Sequence, residues 1–207
     1  MKRILLTVGP QGAGKTTFCR NIAKKNLPNV IYANRDEFLI ERYGEHAWNP
    51  CAVNIGLAED SFIRKVKSAT KENDIVLLEC FCCRENELLS IKEKFIPRDE
   101  YNDYLDFRRS VNLPIEEYLD SEEREKEFSF EALFFTTPPD ICAKWFIERQ
   151  YQNETDYMRE FCYKNSLRDS IEFYEEAKKF IEHFDVIWEI NPFQALIFPI
   201  ENVLNLF

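Results

Sequence analysis

A glycine-rich segment near the N-terminus carries the strongest chemical signal in the chain. Residues 9–16 read Gly-Pro-Gln-Gly-Ala-Gly-Lys-Thr, which satisfies the pattern G-x-x-x-x-G-K-[ST] in full. Glycine lets the backbone wrap a polyphosphate with its N–H groups turned inward, where a side chain would obstruct the approach. The segment therefore predicts a loop that binds the phosphates of a nucleoside triphosphate.

The residues of this loop have separate expected roles. Lys15 reaches the β- and γ-phosphates, and the hydroxyl of Thr16 binds Mg²⁺. The helix that follows presents its positive N-terminus to the anion. The expected cofactors are thus ATP or another nucleoside triphosphate and Mg²⁺, and the predicted cofactor-binding residues are Gly9, Gly12, Ala13, Gly14, Lys15, Thr16 and Thr17. The alternative is a glycine-rich turn with an exposed lysine, which the flanking strand and helix patterns disfavour.

A second group of charged residues, Arg35, Asp36 and Glu37, follows the apolar run 30–33. A hydroxyl that attacks a γ-phosphoryl group must lose its proton, and a carboxylate in reach can accept it. Asp36 is therefore a candidate general base. An aspartate in this position is equally suited to cap the helix after the strand, and the residues alone leave both roles open.

The hydrophobic pattern predicts the elements that position these two groups. Unbroken apolar runs indicate five strands, at residues 4–8, 30–33, 75–78, 130–136 and 185–190. Helical spacing lies between them, over 54–72, from an N-cap at Asp140, and over 156–184. Strands of this kind are buried on both faces, so we expect an α/β fold: a three-layer sandwich with a mainly parallel five-stranded sheet. Ligands of such sheets bind at the carboxyl ends of the strands.

Composition limits the classes of function. Twenty-seven basic and 37 acidic residues give a net charge of −10, which argues against a protein that coats nucleic acid through bulk positive charge. Residues 1–96 carry 15 basic and 12 acidic side chains, whereas residues 97–127 carry 5 and 11. We interpret 97–127 as an acidic helical insertion in a single domain spanning 1–207.

Cysteine usage and hydropathy predict the compartment. Seven cysteines without regular spacing and two histidines are typical of a reduced intracellular protein. The first apolar run ends at Gly9, before the core of an export signal would be complete. Because no stretch approaches the roughly 18 apolar residues of a membrane span, we expect a cytoplasmic protein without membrane contact.

The N-terminal part resembles a known family. Residues 2–18 and the segment Val-Ile-Tyr-Ala-Asn-Arg-Asp at 30–36 are similar to the kinase domain of bacteriophage-type 5′-hydroxyl polynucleotide kinases, within the zeta-toxin-like P-loop kinases. The resemblance implies that Asp36 is the general base and that Lys15 and Arg149 stabilise the transferring phosphoryl group. It also implies that Thr16 and Glu79 are the metal-binding residues, and that a helical lid covers about residues 140–156.

On the acceptor side the chain departs from that family. The arginine that the family places three residues after its base is Leu39 here, and Arg42 lies one helical turn further on. A second lid arginine is replaced by Asn153. Arg35 and Arg42 remain the predicted acceptor-binding residues.

Three functions follow from these observations. The first is ATP- and Mg²⁺-dependent transfer of a γ-phosphoryl group to the 5′-hydroxyl of a polynucleotide. The second is a kinase of the same scaffold that acts on a small hydroxyl compound, such as a nucleoside, sugar or antibiotic; Leu39 and the overall acidity favour it. The third is a nucleotide-dependent switch or binding module without phosphotransfer to an external acceptor.

Overall fold

A five-stranded, all-parallel sheet organises the chain. The computed structural model describes residues 1–47, 49, 55–79, 84–95 and 128–193. Its strands are β1 (Lys2–Val8), β2 (Val30–Asn34), β3 (Ile75–Glu79), β4 (Phe128–Phe135) and β5 (Val186–Ile190). Their order is β2-β3-β1-β4-β5, and every neighbouring pair is parallel. The expected α/β fold with a five-stranded sheet is therefore confirmed.

Six α-helices connect and flank these strands in the described residues. They are α1 (Lys15–Ala23), α2 (Arg35–Tyr43), α3 (Ile55–Ala69), α4 (Glu85–Phe95), α5 (Pro139–Gln150) and α6 (Asp156–Phe180). Short 3-10 turns extend α2 over Gly44–His46 and α6 over Ile181–His183. No helix among the described residues has both the length and the apolar character needed to cross a membrane.

The central strand β1 shows why the sheet is covered on both faces. Its residues Ile4, Leu6 and Val8 pack into one apolar cluster with side chains of α3, α4 and α6. Leu5 packs into a second cluster with side chains of α1 and α5, among them Phe18 and Cys142. Successive strand residues point to opposite faces, so an unbroken apolar run supplies two cores at once.

The strand order brings the ends of three strands together at one edge. The loop after β1 lies beside the end of β3, and β3 separates β1 from β2. Asn34 and Glu79, the last residues of β2 and β3, are register partners. The phosphate loop and the charged group at 35–37 are therefore next to a carboxylate that ends the strand between them.

Local details differ from the sequence predictions at two points. Helix α4 was not expected, although Leu88, Ile91 and Phe95 lie on its buried side. The prediction that Asp140 caps α5 is wrong: Pro138 is the N-cap, no side chain caps the helix, and Asp140 lies in its first turn. Pro139 occupies the first helical position, where a residue without an N–H leaves one fewer free donor in the first turn. The predicted acidic insertion at 97–127 lies outside the described residues.

Candidate active site

The loop between β1 and α1 adopts a conformation that only glycine accommodates at two positions. Gly12 has φ +77° and Gly14 has φ +90°, both in the left-handed region. A Cβ atom on Gly12 would lie 2.0 Å from the backbone oxygen of Cys142 in α5. Because that neighbour is backbone, it cannot rotate away, and the loop can pass α5 closely only without a side chain at this position.

Lys15 is the first residue of α1 and is buried, with 7% of its surface exposed. Its ammonium donates hydrogen bonds of 2.7 Å to the carbonyl oxygens of Gly9 and Pro10. The loop thus folds around the positive charge and keeps it beside the N-terminus of α1. Both features favour an anion at the same place.

Two hydroxyl groups brace the loop from behind. The buried Thr137 follows β4, and its hydroxyl donates to the carbonyl oxygen of Ala13 at 2.8 Å. The hydroxyl of Tyr174, in α6, lies 2.7 Å from the carbonyl oxygen of Thr137 and 2.9 Å from that of Phe135. The loop, the end of β4 and helix α6 are therefore joined through specific polar contacts.

Glu79 and Thr16 form the oxygen-rich part of the site. Glu79 is 6% exposed, and its Oε1 accepts a hydrogen bond from the hydroxyl of Thr16. Mg²⁺ prefers oxygen ligands and in nucleotide sites uses one or two protein ligands together with substrate phosphates. A carboxylate and a hydroxyl in contact beside a phosphate loop fit such an ion, as predicted for these two residues. Their assignment as metal-binding residues stays a prediction.

The second oxygen of Glu79 is held by two side chains from β2. Oε2 accepts from the hydroxyl of Tyr32 at 2.5 Å and from Nδ2 of Asn34 at 2.9 Å. Nδ2 of Asn34 also donates to the hydroxyl of Tyr32 at 2.9 Å. Burial and the adjoining carboxylate raise the pKa of Tyr32, which keeps its hydroxyl protonated and able to donate.

Asp36 lies in the first turn of α2 but does not cap it. The N-cap is Asn34, whose side-chain oxygen accepts from the backbone N–H of Glu37 at 2.9 Å. Oδ1 of Asp36 is buried and has no hydrogen-bond partner among the described residues. Burial raises the pKa of this carboxyl, and the nearby Glu79 adds to the rise, while Arg35 and Lys15 oppose it. The carboxylate is thus free to accept a proton.

These residues line one cleft of about 280 Å³. Helix α5 closes its far side with three residues of its last turns, Phe146, Arg149 and Gln150. Arg149 is exposed and forms no ion pair within the described part of the chain. The residues that line the cleft are Gln11, Gly12, Ala13, Gly14, Lys15, Thr16, Thr17, Asn34, Asp36, Glu79, Phe146, Arg149 and Gln150. The structure therefore brings together the predicted base, metal and lid residues and the predicted loop residues other than Gly9, which does not line the cleft.

The two predicted acceptor-binding arginines are not among the residues that line the cleft. Arg35 donates to Glu59 of α3 at 2.6 Å. Arg42 places its guanidinium 5.9 Å and 5.7 Å from the ring centres of Phe38 and Tyr43. Leu39 is buried, with 1% exposed. That Arg35 and Arg42 bind the acceptor therefore stays a prediction.

Sequence reasoning did not single out Asn34, Tyr32 or Thr137. A signal was available for Asn34, because an asparagine three residues before a glutamate at the start of a helix is typical of an N-cap. Its bond to Glu79 depends on β2 lying next to β3, which no local pattern reveals. Thr137 gives no local signal for its bond to Ala13, since the two residues are 124 positions apart.

Comparison with known proteins gives a likeness of fold. No protein-family model matches the chain, and no curated protein matches its sequence. A chain of the Pnkp1/Rnl/Hen1 RNA repair complex superposes with a TM-score of 0.53 at 16% identity, over 84% of this chain and 45% of its own. The present chain thus spans a little less than half of that protein's length.

A second solved structure matches nearly end to end. Shikimate kinase from Acinetobacter baumannii, in complex with shikimate, superposes with a TM-score of 0.50 at 14% identity, over 92% of this chain and 84% of its own. At such identities the likeness concerns the fold. The chain shares with that shikimate kinase an α/β fold, here built from five parallel strands, flanking helices and a glycine-rich loop after β1.

Proposed function

We propose that the chain is an ATP- and Mg²⁺-dependent phosphotransferase that moves the γ-phosphoryl group to an acceptor hydroxyl. One observation carries the proposal: the unpartnered, half-buried carboxylate of Asp36 lines the same cleft as the phosphate loop. A carboxylate with a raised pKa that faces a phosphate site is suited to take a proton from a hydroxyl.

The reaction follows from the positions of these side chains. The acceptor hydroxyl gives its proton to the carboxylate of Asp36, and its oxygen forms a bond to the γ-phosphorus. The bond from that phosphorus to the β–γ bridging oxygen breaks, and ADP leaves with the electron pair. Lys15 and Arg149 supply positive charge where the transferring group develops negative charge.

Thr16 and Glu79 are the residues that would hold Mg²⁺. The ion, if bound there, would supply positive charge that offsets the negative charge of the phosphates. Phe146 and Gln150 of α5 lie on the same wall as Arg149, and their closure over the phosphates would exclude water from the transfer. This is the role we propose for the predicted lid.

The proposed acceptor is the 5′-hydroxyl of a polynucleotide. Two observations support it: the resemblance of residues 2–18 and 30–36 to the 5′-hydroxyl polynucleotide kinases, and the likeness of fold to a chain of an RNA repair complex. An end of a nucleic acid needs only a local site, so the net charge of −10 does not conflict with it.

A small hydroxyl compound is the second candidate acceptor. It is favoured by the neutralisation of Arg35 by Glu59 and by the burial of Leu39, which leave no unpaired cation on the first two turns of α2. The fold likeness to shikimate kinase in complex with shikimate supports it equally. A polynucleotide held through phosphates binds more weakly as salt rises, whereas a neutral acceptor does not.

The test is transfer of labelled phosphate from γ-labelled ATP to a panel of acceptors. The panel contains one oligonucleotide with a 5′-hydroxyl, the same oligonucleotide with a 5′-phosphate, and a set of nucleosides and sugars. We expect labelling of the 5′-hydroxyl oligonucleotide only, with a velocity at limiting acceptor that falls as salt rises. Labelling of a small compound, insensitive to salt, would favour the second candidate.

Matched lysine variants control this assay. Lys15→Ala removes the buried ammonium and should abolish transfer, whereas Lys25→Ala changes an exposed lysine just after α1 and should leave it intact. A wild-type protein that binds ATP but labels no acceptor would contradict the proposal and leave a nucleotide-dependent binding module.

A further inference from the structure

Two polar residues of β2, Tyr32 and Asn34, donate hydrogen bonds to Glu79 at the end of β3, and Asn34 also caps α2. The phosphate loop and Glu79 form the phosphate side of the cleft, and Asp36 in α2 marks its acceptor side. We propose that Asn34 is a positioning residue that fixes both sides at once, and that Tyr32 assists it on one side only. The side-chain oxygen of Asn34 sets the start of α2, which carries Asp36, and its side-chain nitrogen orients the carboxylate of Glu79. The inference deepens the proposed function and rests on it.

The acceptor side depends on the oxygen of this amide. Oδ1 of Asn34 accepts from the N–H of Glu37 at 2.9 Å and so satisfies one of the free donors of the first turn of α2. Asp36 sits within that turn, between the cap and its hydrogen-bond partner. A frayed first turn would let the Asp36 carboxylate leave the cleft.

The phosphate side depends on the nitrogen of the same amide. Glu79 is almost fully buried, and a buried carboxylate needs hydrogen-bond donors. Asn34 and Tyr32 both donate to Oε2, while Oε1 contacts Thr16. With Oε2 occupied by two donors, the carboxylate cannot rotate freely, and Oε1 stays turned toward the phosphate loop.

The geometry of the sheet explains why an amide serves here. Asn34 and Glu79 are register partners at the ends of adjacent parallel strands, so the side chain lies close to both Glu79 and the first turn of α2. The amide carries an acceptor and a donor at a distance from each other that lets it serve both. Serine retains the capping acceptor but is too short to hold Glu79, and alanine retains neither.

The expected effects on metal binding and on helix capping can be separated, because different variants remove different contacts. Asn34→Ser keeps a good N-cap and loses the donor to Glu79. Tyr32→Phe removes the other donor and leaves the cap untouched. Asn34→Ala loses both the cap and the donor. Tyr157→Phe, at an exposed tyrosine of α6, is the matched control for the lost hydroxyl.

The first experiment measures metal-dependent nucleotide binding, which needs no acceptor. Each protein is titrated with a fluorescent, non-hydrolysable ATP analogue over a series of Mg²⁺ concentrations, and bound Mn²⁺ is counted by electron paramagnetic resonance. Because residues that orient a metal ligand affect metal affinity by about 10- to 100-fold, Asn34→Ser and Tyr32→Phe should raise the half-maximal Mg²⁺ concentration about tenfold. Tyr157→Phe should match wild type.

The second experiment measures thermal unfolding of the same proteins. Both Asn34 variants lose the donor to the buried Glu79, and only Asn34→Ala also loses the cap, so its Tm should lie about 2–4 °C below that of Asn34→Ser. If the two variants have the same Tm, the capping role is overturned.

The remaining outcomes distinguish this inference from the proposed function. If Asn34→Ser and Tyr32→Phe bind the metal–nucleotide complex with wild-type Mg²⁺ dependence, the role toward Glu79 is overturned. If wild type binds the complex, responds to these variants as expected and yet transfers phosphate to no acceptor, only the proposed function fails. If wild type binds no metal–nucleotide complex, both fail.

Discussion

The two sides of the cleft are built differently. On the loop side, Lys15 is buried and bonded to the loop it belongs to, and Thr137 holds that loop from behind. On the acceptor side, Asp36 has a buried oxygen without a partner, and Arg149 is exposed and without an ion pair among the described residues. Within the described residues, Lys15 and Thr137 thus have hydrogen-bond partners, whereas Oδ1 of Asp36 has none.

This difference indicates that the loop side is preorganised for the nucleotide, whereas the acceptor side acquires its remaining contacts only when the ligands bind. A loop held by backbone geometry and buried hydrogen bonds offers its N–H groups in place, with little to reorganise. An unpartnered carboxylate costs stability, and such groups cluster at functional sites. We therefore expect substitutions on the loop side to impair nucleotide binding, and substitutions on the acceptor side to impair transfer.

Replacement of Arg149 should separate the effects on phosphoryl transfer and on nucleotide binding most clearly. Arg149→Ala should slow transfer by about 10²- to 10³-fold, because one charge that stabilises the transferring group is lost. ATP affinity should fall by much less. Single-turnover kinetics and nucleotide titration separate the two effects, with Lys144→Ala on the same helix as control. An equal loss in both measurements would place Arg149 on the nucleotide-binding side.

A methyl group added at Gly12 should distort the phosphate loop and weaken ATP binding. Gly12→Ala meets the backbone oxygen of Cys142 and forces a left-handed φ on alanine, so ATP affinity should fall by roughly 100-fold. Gly44→Ala is the control, since Gly44 also has positive φ but no atom of the described residues lies within 4 Å of its Cβ position. It should lower Tm and leave ATP affinity unchanged. Wild-type affinity in Gly12→Ala would contradict the loop geometry.

Loss of the brace behind the loop should have a smaller effect. Thr137→Val removes the hydrogen bond to Ala13 and leaves a buried carbonyl oxygen without it, which should cost about 1–3 kcal/mol of stability. ATP affinity should fall by about threefold to tenfold. Thr136→Val, at the exposed neighbour, removes only a long hydrogen bond of 3.4 Å to the carbonyl oxygen of Ile190, so it should change both quantities less. Denaturant unfolding and nucleotide titration measure both effects.

The smallest expected effect is a gain in stability from Asp36→Asn. A carboxyl whose pKa is raised by folding destabilises the folded protein once it is ionised. The amide should therefore raise Tm by about 1–3 °C at neutral pH. The gain should shrink as the pH falls through the raised pKa of Asp36, because the wild-type carboxyl is then protonated. Thermal unfolding at a series of pH values follows it, and a lower Tm at neutral pH would contradict the burial of an unpaired charge.

Sequence predicted those parts of the molecule whose signal is local. The five strands follow from unbroken apolar runs, and the loop from glycines and a lysine at fixed spacing, so both were identified within a few residues. The contacts that depend on strand order, such as Asn34 with Glu79, have no local signature. The pairing of Arg35 with Glu59 likewise requires α3 to pack beside α2, and Arg35 was therefore expected to be available to the acceptor.

The central claim is that Asp36 takes the proton of the acceptor hydroxyl, and transfer by Asp36→Asn beside ATP binding tests it most directly. We expect ATP affinity within about threefold of wild type and a turnover number lower by about 10²- to 10⁴-fold. Glu37→Gln, at the exposed neighbouring carboxylate that pairs with Arg20, should retain near wild-type turnover. An unchanged turnover number in Asp36→Asn would contradict the account.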